Sequence, residues 1–384
     1  MENAKQLQME RNKLFTDIYD GKRPKRVPII LDLKWDAAIT YRNMDLKRSL
    51  WDSSCIMDFM DPVSTEFQAD KLPVGANTRP PLLYQLLGSK CIIMSESGTM
   101  QHPEVHSLKP EEYDEFIADP YKCMCEKLLP RLYSELDAPK GKAALTFAIA
   151  YKAKADVMAP MIKCMNEVTE KYGFCNIPGG GFTEAPFDFL ADFIRSFSGI
   201  SGDVRRYPAK VEAACEAILP HMLKVGLVPN SSNYSRTYIP LHMGPYLNQK
   251  QFDRFWWPTF ASLMKGLDDA GAGVTLFVEQ NWMRYIDYLC DLPGRVELLF
   301  EYGDPALTVE KVNGKHIIEG FYPSVLAQTG TKEQCLDKTK ELLDILCRDG
   351  NYIFSFDKSF YSLKDPIRTN LHAILDYVLT NGIY

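Results

Sequence analysis

The chain has 384 residues and a mass of 43.8 kDa, with 46% hydrophobic and 24% charged residues. This is ordinary globular composition, which excludes disorder for the bulk of the chain. The 50 acids and 44 bases leave a net charge of −6, so the composition excludes a dedicated basic nucleic-acid binder.

The first segment, MENAKQLQMERNKLF, is charged and lacks the apolar region of a secretory signal. No run reaches the ~18 apolar residues of a spanning helix. A cytoplasmic protein with neither membrane nor nucleic-acid partner is expected. Ten cysteines, at 55, 91, 123, 125, 164, 175, 215, 290, 335 and 347, form no CxxC pair. Reduced, mostly buried thiols are the expectation.

Residues 1–26 read as a helix closed by the basic turn GKRPKR. VPIILDLKWD follows as a strand, a β-branched run starting beside Pro28. Residues 45–125 carry seven prolines and read as an irregular insertion with short helices. From residue 145 onward strand and helix alternate. ALTFAIAY is expected as a strand before a helix at 155–172, and FCNIPGGGF as a strand before the amphipathic stretch 184–198. RRYPAKVEAACEAILPHMLKVG reads as a helix, with Pro208 near its start and Gly226 at its stop. TYIPLHMG, GVTLFVEQNW, VELLFEYGD, HIIEGFYP and NYIFSFDKS then read as strands, with helices between them and a last helix at 365–380. Such alternation implies parallel pairing with right-handed crossovers. The number of units favours a (β/α)8 barrel: one domain over 1–384, elaborated within about 36–140. The triple glycine at 179–181 lacks dinucleotide-fingerprint spacing and reads as a loop needing backbone freedom.

A barrel keeps its active site at the C-terminal ends of its strands. That rule selects Asp32, Lys34, Trp35 and Asp36; His242 and Met243; Glu279, Gln280, Asn281 and Trp282; Glu301, Tyr302 and Asp304; Glu319, Phe321 and Tyr322; and Asp357 with Lys358. Crowded carboxylates require a cation or shared protons. A bound metal is one expectation, and a carboxylate pair for acid–base work is the other. His316 opens its strand and belongs to the opposite, structural face. His102, His106, His221 and His372 lie away from strand ends and read as solvated or capping.

Together these segments resemble the uroporphyrinogen decarboxylase superfamily, and within it the corrinoid-dependent methyltransferases. The resemblance rests on KRVPIILD, GISGDVRRYPAKVEAACEAI, HMGPYLNQKQFDRFWWPTFASLMKGLDDAG, GVTLFVEQNW, GFYPSVLAQTGTKEQ and DGNYIFSFDKS, in family order over nearly the whole chain. Two departures stand out. Thiol-methylating members carry His-x-Cys where this chain has Phe277-Val278-Glu279, and a further Cys where it has Asp357-Lys358. Decarboxylase members carry an Arg-rich segment where LDLKWDAAITYR offers only Arg42. A carboxylate in place of a thiolate suits a harder Lewis acid and an oxygen leaving group.

The resemblance therefore implies transfer of a methyl group from a small methylated aromatic, an aryl methyl ether, to the cobalt of a separate corrinoid protein. Glu279 and Glu301 are expected to hold zinc, with His242, Asp304, Glu319 and Asp357 competing as third ligand. His242, Lys358 and Asp357 are the expected catalytic groups. Asp32, Trp35, Trp282, Tyr302 and Phe321 are the expected substrate wall. A homodimer is the expected assembly, with 45–125 as lid or interface. A metal-free decarboxylase using Asp32 and Lys358 is the alternative.

Overall fold

The computed structural model describes residues 2–384. Five regular parallel strands run side by side in chain order: Thr237–Leu241, Val274–Asn281, Glu297–Tyr302, Ile317–Gly320 and Tyr352–Ile353. Backbone hydrogen bonds extend this sheet with three extended segments. Residues 27–33 pair with the last strand: the Ile30 N–H donates to the Phe354 carbonyl and the Phe354 N–H to that of Pro28. Residues 69–74 pair with the first segment, the Asp70 N–H donating to Ile29 and the Leu33 N–H to Pro73. Residues 174–183 bridge the gap, the Cys175 N–H donating to Asp70 and the Tyr238 N–H to Gly181. The ring is thereby closed with eight staves, numbered 1 to 8 from residue 27. The (β/α)8 barrel is the fold.

Alternation along each stave sorts its side chains. Ile29, Leu31 and Leu33, Ile239 and Leu241, Leu276 and Val278, and Leu298 and Phe300 are buried in the shell between staves and helices. Each such side chain stabilises the fold by roughly 1.5–3 kcal/mol through apolar burial. Their alternates, among them Asp32, Tyr238, Phe277 and Glu279, face the lumen and are less buried.

The helices needed below are α1 (Glu2–Tyr19), α2 (Lys140–Tyr172), α3 (Pro186–Phe189, continued by a π-helical turn over Leu190–Ile194), α4 (Pro208–Gly226), α5 (Trp257–Asp269), α6 (Pro305–Val312), α7 (Ser324–Thr329), α8 (Lys332–Leu346) and α9 (Ile367–Asn381). Helix α1 closes the lower end of the barrel. Its Phe15, Ile18 and Tyr19 pack with Cys175, Ile317 and Ile353, and with Ile30 and Ile177.

Asp70 ties the closing staves to that helix. It is 1% exposed and accepts from both terminal nitrogens of Arg26, at 2.6 and 2.7 Å, and from the Ile29 N–H at 2.8 Å. Arg11 of α1 lies 3.4 Å away.

Two expectations are corrected. ALTFAIAY is not a strand but part of the 33-residue α2. Its aromatic and β-branched positions imitate a strand, yet the surrounding alanines and lysines are good helix formers. The stretch 69–74, expected inside an irregular insertion, is stave 2. It is short, ends beside Pro73 and carries two charges, so no period-2 signal marks it. The ten cysteines are free thiols, and no helix among the described residues is long and apolar enough to cross a membrane.

Replacing Asp70 with Ala leaves two arginines and a backbone N–H without their acceptor. The expected loss is about 3 kcal/mol of unfolding free energy, measured by urea denaturation. A loss below about 1 kcal/mol would show that the ring closes without this contact.

Candidate active site

The acid-rich mouth is assembled from staves 3 to 6 and from α3. Asp188, on the first turn of α3, is fully buried. Its carboxylate accepts from the His242 N–H at 2.8 Å, the Met243 N–H at 3.2 Å and the Trp256 indole N–H at 2.7 Å. These bonds fix the end of stave 4 and so the position of His242. The π-helical turn that follows, a distortion frequent at functional sites, carries Asp192. The Asp192 carboxylate lies 3.3 Å from His242 Nδ1, and the Glu279 carboxylate 3.8 Å from His242 Nε2. His242 Nε2 is buried and has no hydrogen-bond partner.

Glu184 precedes α3 and stands among these acids. It is 5% exposed and its Oε2 has no partner. Burial, and next the charges of Asp192, Asp188 and Glu279, push its carboxyl up to about 9. It is therefore a neutral acid at pH 7. Burial also raises Asp192 and Glu279, against the opposing pull of His242. Asp188 is raised to about 7 by burial, with His242 and its N–H donors pulling the other way.

Glu301 sits beside this group and is already neutralised. Lys358 Nζ lies 2.5 Å from its Oε1, and the Gln280 N–H donates to its Oε2 at 2.5 Å. Gln280 adopts φ +64°, at an irregularity in the pairing of staves 5 and 6 between Val278 and Asn281. Such bulges re-aim side chains next to active sites, and here the bulge turns the Gln280 N–H toward Glu301.

Sequence reasoning selected His242, Glu279, Glu301 and Lys358, and the structure brings these four together. It places the others differently. Trp282 is not a substrate wall: it is fully buried against Trp256, at 5.0 Å between ring centroids, and its indole N–H donates to the Glu279 carbonyl. Gly244 is its seat, since a Cβ there would lie 2.2 Å from the ring. Phe321 is 6% exposed and stacks on Phe300 at 4.8 Å. Asp357 is buried and accepts from the Ser324 N–H at the start of α7. Asp304 caps α6 through the Ala306 and Leu307 N–H groups. Glu319 lies deep in the lumen, 4% exposed. In each case an aromatic or acid near a strand end serves packing or capping, because alternation or the first helical turn points it there. His316 is fully buried and its Nδ1 accepts from the Val296 N–H. Burial lowers it to about 4 and keeps it neutral.

Asp32, Trp35 and Asp36 line a cleft of about 370 Å3 above staves 1 and 2, together with Asn77, Arg79 and Tyr361. Trp35 is 8% exposed and its indole N–H is held by the Gly75 carbonyl. Asp32 pairs with Lys34 at 3.0 Å and accepts from Ser359. The charge of Arg79, which lines this cleft, also acts on Glu184. Tyr302, 46% exposed, lies beneath the Lys358 ammonium at 5.6 Å.

The acids missed at the sequence level are Glu184, Asp188 and Asp192. Their signal was present in EAPFDFLAD: three acids at four-residue spacing directly after a strand. The zinc set does not fit. Zinc takes three or four converging donors, and among the described residues no three His, Cys, Asp or Glu side chains converge in that way. Both oxygens of Glu301 are already engaged, by Lys358 and Gln280.

Glu184 has a stability signature. Its folded pKa lies above the unfolded value of 4.5, so the native state holds a proton that the unfolded state releases. Stability on this account is full below pH 4.5 and falls as pH rises toward 9. Glu184→Gln keeps the shape and removes the titration. It is expected to melt at least ~2 °C higher than the wild type at pH 8, with no gain at pH 4.5. Equal shifts at both pH values in calorimetry would remove the buried acid from the account.

Comparison with known proteins agrees with this architecture. The model of the family described as uroporphyrinogen decarboxylase (URO-D) matches residues 124–361. No curated protein matches the chain in sequence. Among solved structures, a methyltransferase from Methanosarcina mazei superposes with a TM-score of 0.62 at 12% identity, over 96% of this chain and 98% of that one. That likeness is one of fold. With more than half its length matched, the chain belongs to the uroporphyrinogen decarboxylase family.

Proposed function

We propose that this protein is a methyltransferase that moves the methyl group of an aryl methyl ether to the cobalt of a corrinoid carried by a separate protein. The observation that carries the reading is Glu184, a buried carboxyl with an unpartnered oxygen that keeps its proton through neutral pH. An ether oxygen is a poor leaving group until it gains a proton or a Lewis acid. Family membership and a fold shared with a chain named as a methyltransferase support the same reading.

The aryl ether enters through the cleft beside Asp32 and Trp35 and brings its oxygen to the acid cluster. A corrinoid carried by the partner would serve as methyl acceptor, its reduced cobalt supplying both electrons of the new bond to the methyl carbon. The carbon–oxygen pair stays on oxygen, which takes the proton of Glu184 and leaves as a phenol. His242, between Asp192 and Glu279, returns a proton to Glu184 from solvent. Lys358, beside Glu301 and Tyr302, supplies positive field to the oxygen while charge develops. This Brønsted acid does the work that the resemblance assigned to zinc.

The decarboxylase alternative needs Asp32 and Lys358 as free working groups. Of these, Asp32 is instead held by Lys34 and Ser359.

The test is methyl transfer from methoxylated aromatics to a reduced corrinoid protein, followed by the absorbance of the methylated corrinoid. Glu184→Gln is expected to lower the rate roughly 10²–10⁴-fold. The wild-type rate should fall as pH passes about 9, where Glu184 loses its proton. An unchanged rate in the variant would remove Glu184 as the acid. One tightly held zinc per chain, lost together with activity on chelation, would return the role to a metal.

A further inference from the structure

Barrel interiors of this fold are normally filled by side chains. This one is open on the side of staves 3 and 4. The Thr183 hydroxyl donates to the Met222 carbonyl and the Thr237 hydroxyl to that of Gly226, both on α4 outside the ring. Alternation therefore turns their neighbours Phe182 and Tyr238 into the lumen. There the two rings stack, centroids 6.2 Å apart, yet Phe182 is 54% and Tyr238 37% exposed. A pair of exposed, stacked aromatic rings inside a barrel is a platform for another ring.

The lumen floor carries Lys71 on stave 2. Its ammonium lies 3.5 Å from the Tyr19 hydroxyl and 4.5 Å over the Phe15 ring. Among the described residues no carboxylate comes within ion-pair distance of it. Of the acids on this floor, Glu297 is paired with Arg236 at 3.4 Å. Glu319 is raised well above its usual range by burial and by the charge of Glu297. Lys71 thus has no ion-pair partner of its own among the described residues, although the charges of Glu297 and Glu319 act on it from further away.

We infer that the lumen is the ring-binding site, with Phe182 and Tyr238 stacking on the substrate and Lys71 selecting an aromatic carboxylate over a neutral arene. The inference rests on the methyl-transfer reading only for which end of the ring reacts. Register gives the scale. Thr275 pairs with Glu297 at the floor, and Glu279 lies four residues further along stave 5. Four residues span ~13 Å of strand, or about 11 Å along a barrel axis at the usual tilt. That height accommodates one benzene ring with a group at each end and a hydrogen bond of ~2.8 Å beyond each. A carboxylate is fully charged at neutral pH, whereas a phenol is not, so the para-substituted methoxybenzoate is the probe.

Calorimetric titration of the whole protein with 4-methoxybenzoate and with methoxybenzene, without any corrinoid protein, reads binding apart from turnover. The benzoate is expected to bind at least ~10-fold more tightly, the size of one charged hydrogen bond. Lys71→Met should abolish that preference and leave methoxybenzene unchanged, and Tyr238→Leu should weaken both ligands. Equal binding of the two ligands to the wild type overturns the inference without recourse to any variant, as does a preference that survives in Lys71→Met. Methyl transfer from neutral ethers despite equal binding would leave the methyltransferase standing and sink the inference alone. Tight benzoate binding without methyl transfer from any ether would do the reverse.

Discussion

The contact on which the mouth depends is the buried carboxylate of Asp188. It accepts from two successive backbone N–H groups past stave 4 and from the Trp256 indole. A strand that ends in a loop leaves such donors unsatisfied, and an unsatisfied buried donor costs about 1–3 kcal/mol. One carboxylate answers three of them, and in doing so joins α3, stave 4 and the helical segment leading into α5. His242 is held by its own backbone, not by its ring, so the ring nitrogens are left to face Asp192 and Glu279. The aromatic layer of Trp256, Trp282 and Phe252 then packs beneath.

The same arrangement creates electrostatic tension. Four acids, Glu184, Asp188, Asp192 and Glu279, share one poorly hydrated region with His242, and His102 acts on Asp192 from beside it. Charges of one sign at that density cannot all ionise. The group that yields is Glu184, which is buried and has no N–H donor on Oε2, whereas Asp188 has three donors on its oxygens. Two carboxyls four residues apart are thus raised to different degrees by their surroundings, and the more strongly raised one, Glu184, is the better placed to hold a proton. Glu301, by contrast, has its own lysine, and its charge acts within the cluster on Glu279.

The lower half of the barrel follows a different logic. Asp70 is paired with arginines from α1 and the lead-in to stave 1, and α1 seals the floor with Phe15, Ile18 and Tyr19. The seal closes the lumen from below. Its wall is incompletely filled at Phe182 and Tyr238, where the glycines at 180 and 181 let backbones approach. A Cβ on Gly181 would lie 2.0 Å from the Gly226 carbonyl. The triple glycine that read as loop freedom is in part a close-packing requirement of stave 3 against α4.

The sequence by itself determined the barrel. Periodic alternation of apolar strands and amphipathic helices from residue 174 onward is local information, and it also placed His242, Glu279, Glu301 and Lys358 at strand ends. It failed where the signal is not periodic. Stave 2 is six residues with Asp70, Lys71 and Pro73 among them, and its pairing partners lie 40 and 100 residues away. ALTFAIAY satisfies both periods, and only the packing of α2 chooses between them. Which strand-end residues face the mouth, as Glu279 does, and which turn to cap a helix, as Asp357 does, is decided by the ring's closure and its bulges. The raised carboxyl of Glu184 and the ammonium of Lys71, without an ion pair among the described residues, belong to the tertiary structure alone. Both arise from which charges are brought together and which are kept from water, and no local sequence window contains that information.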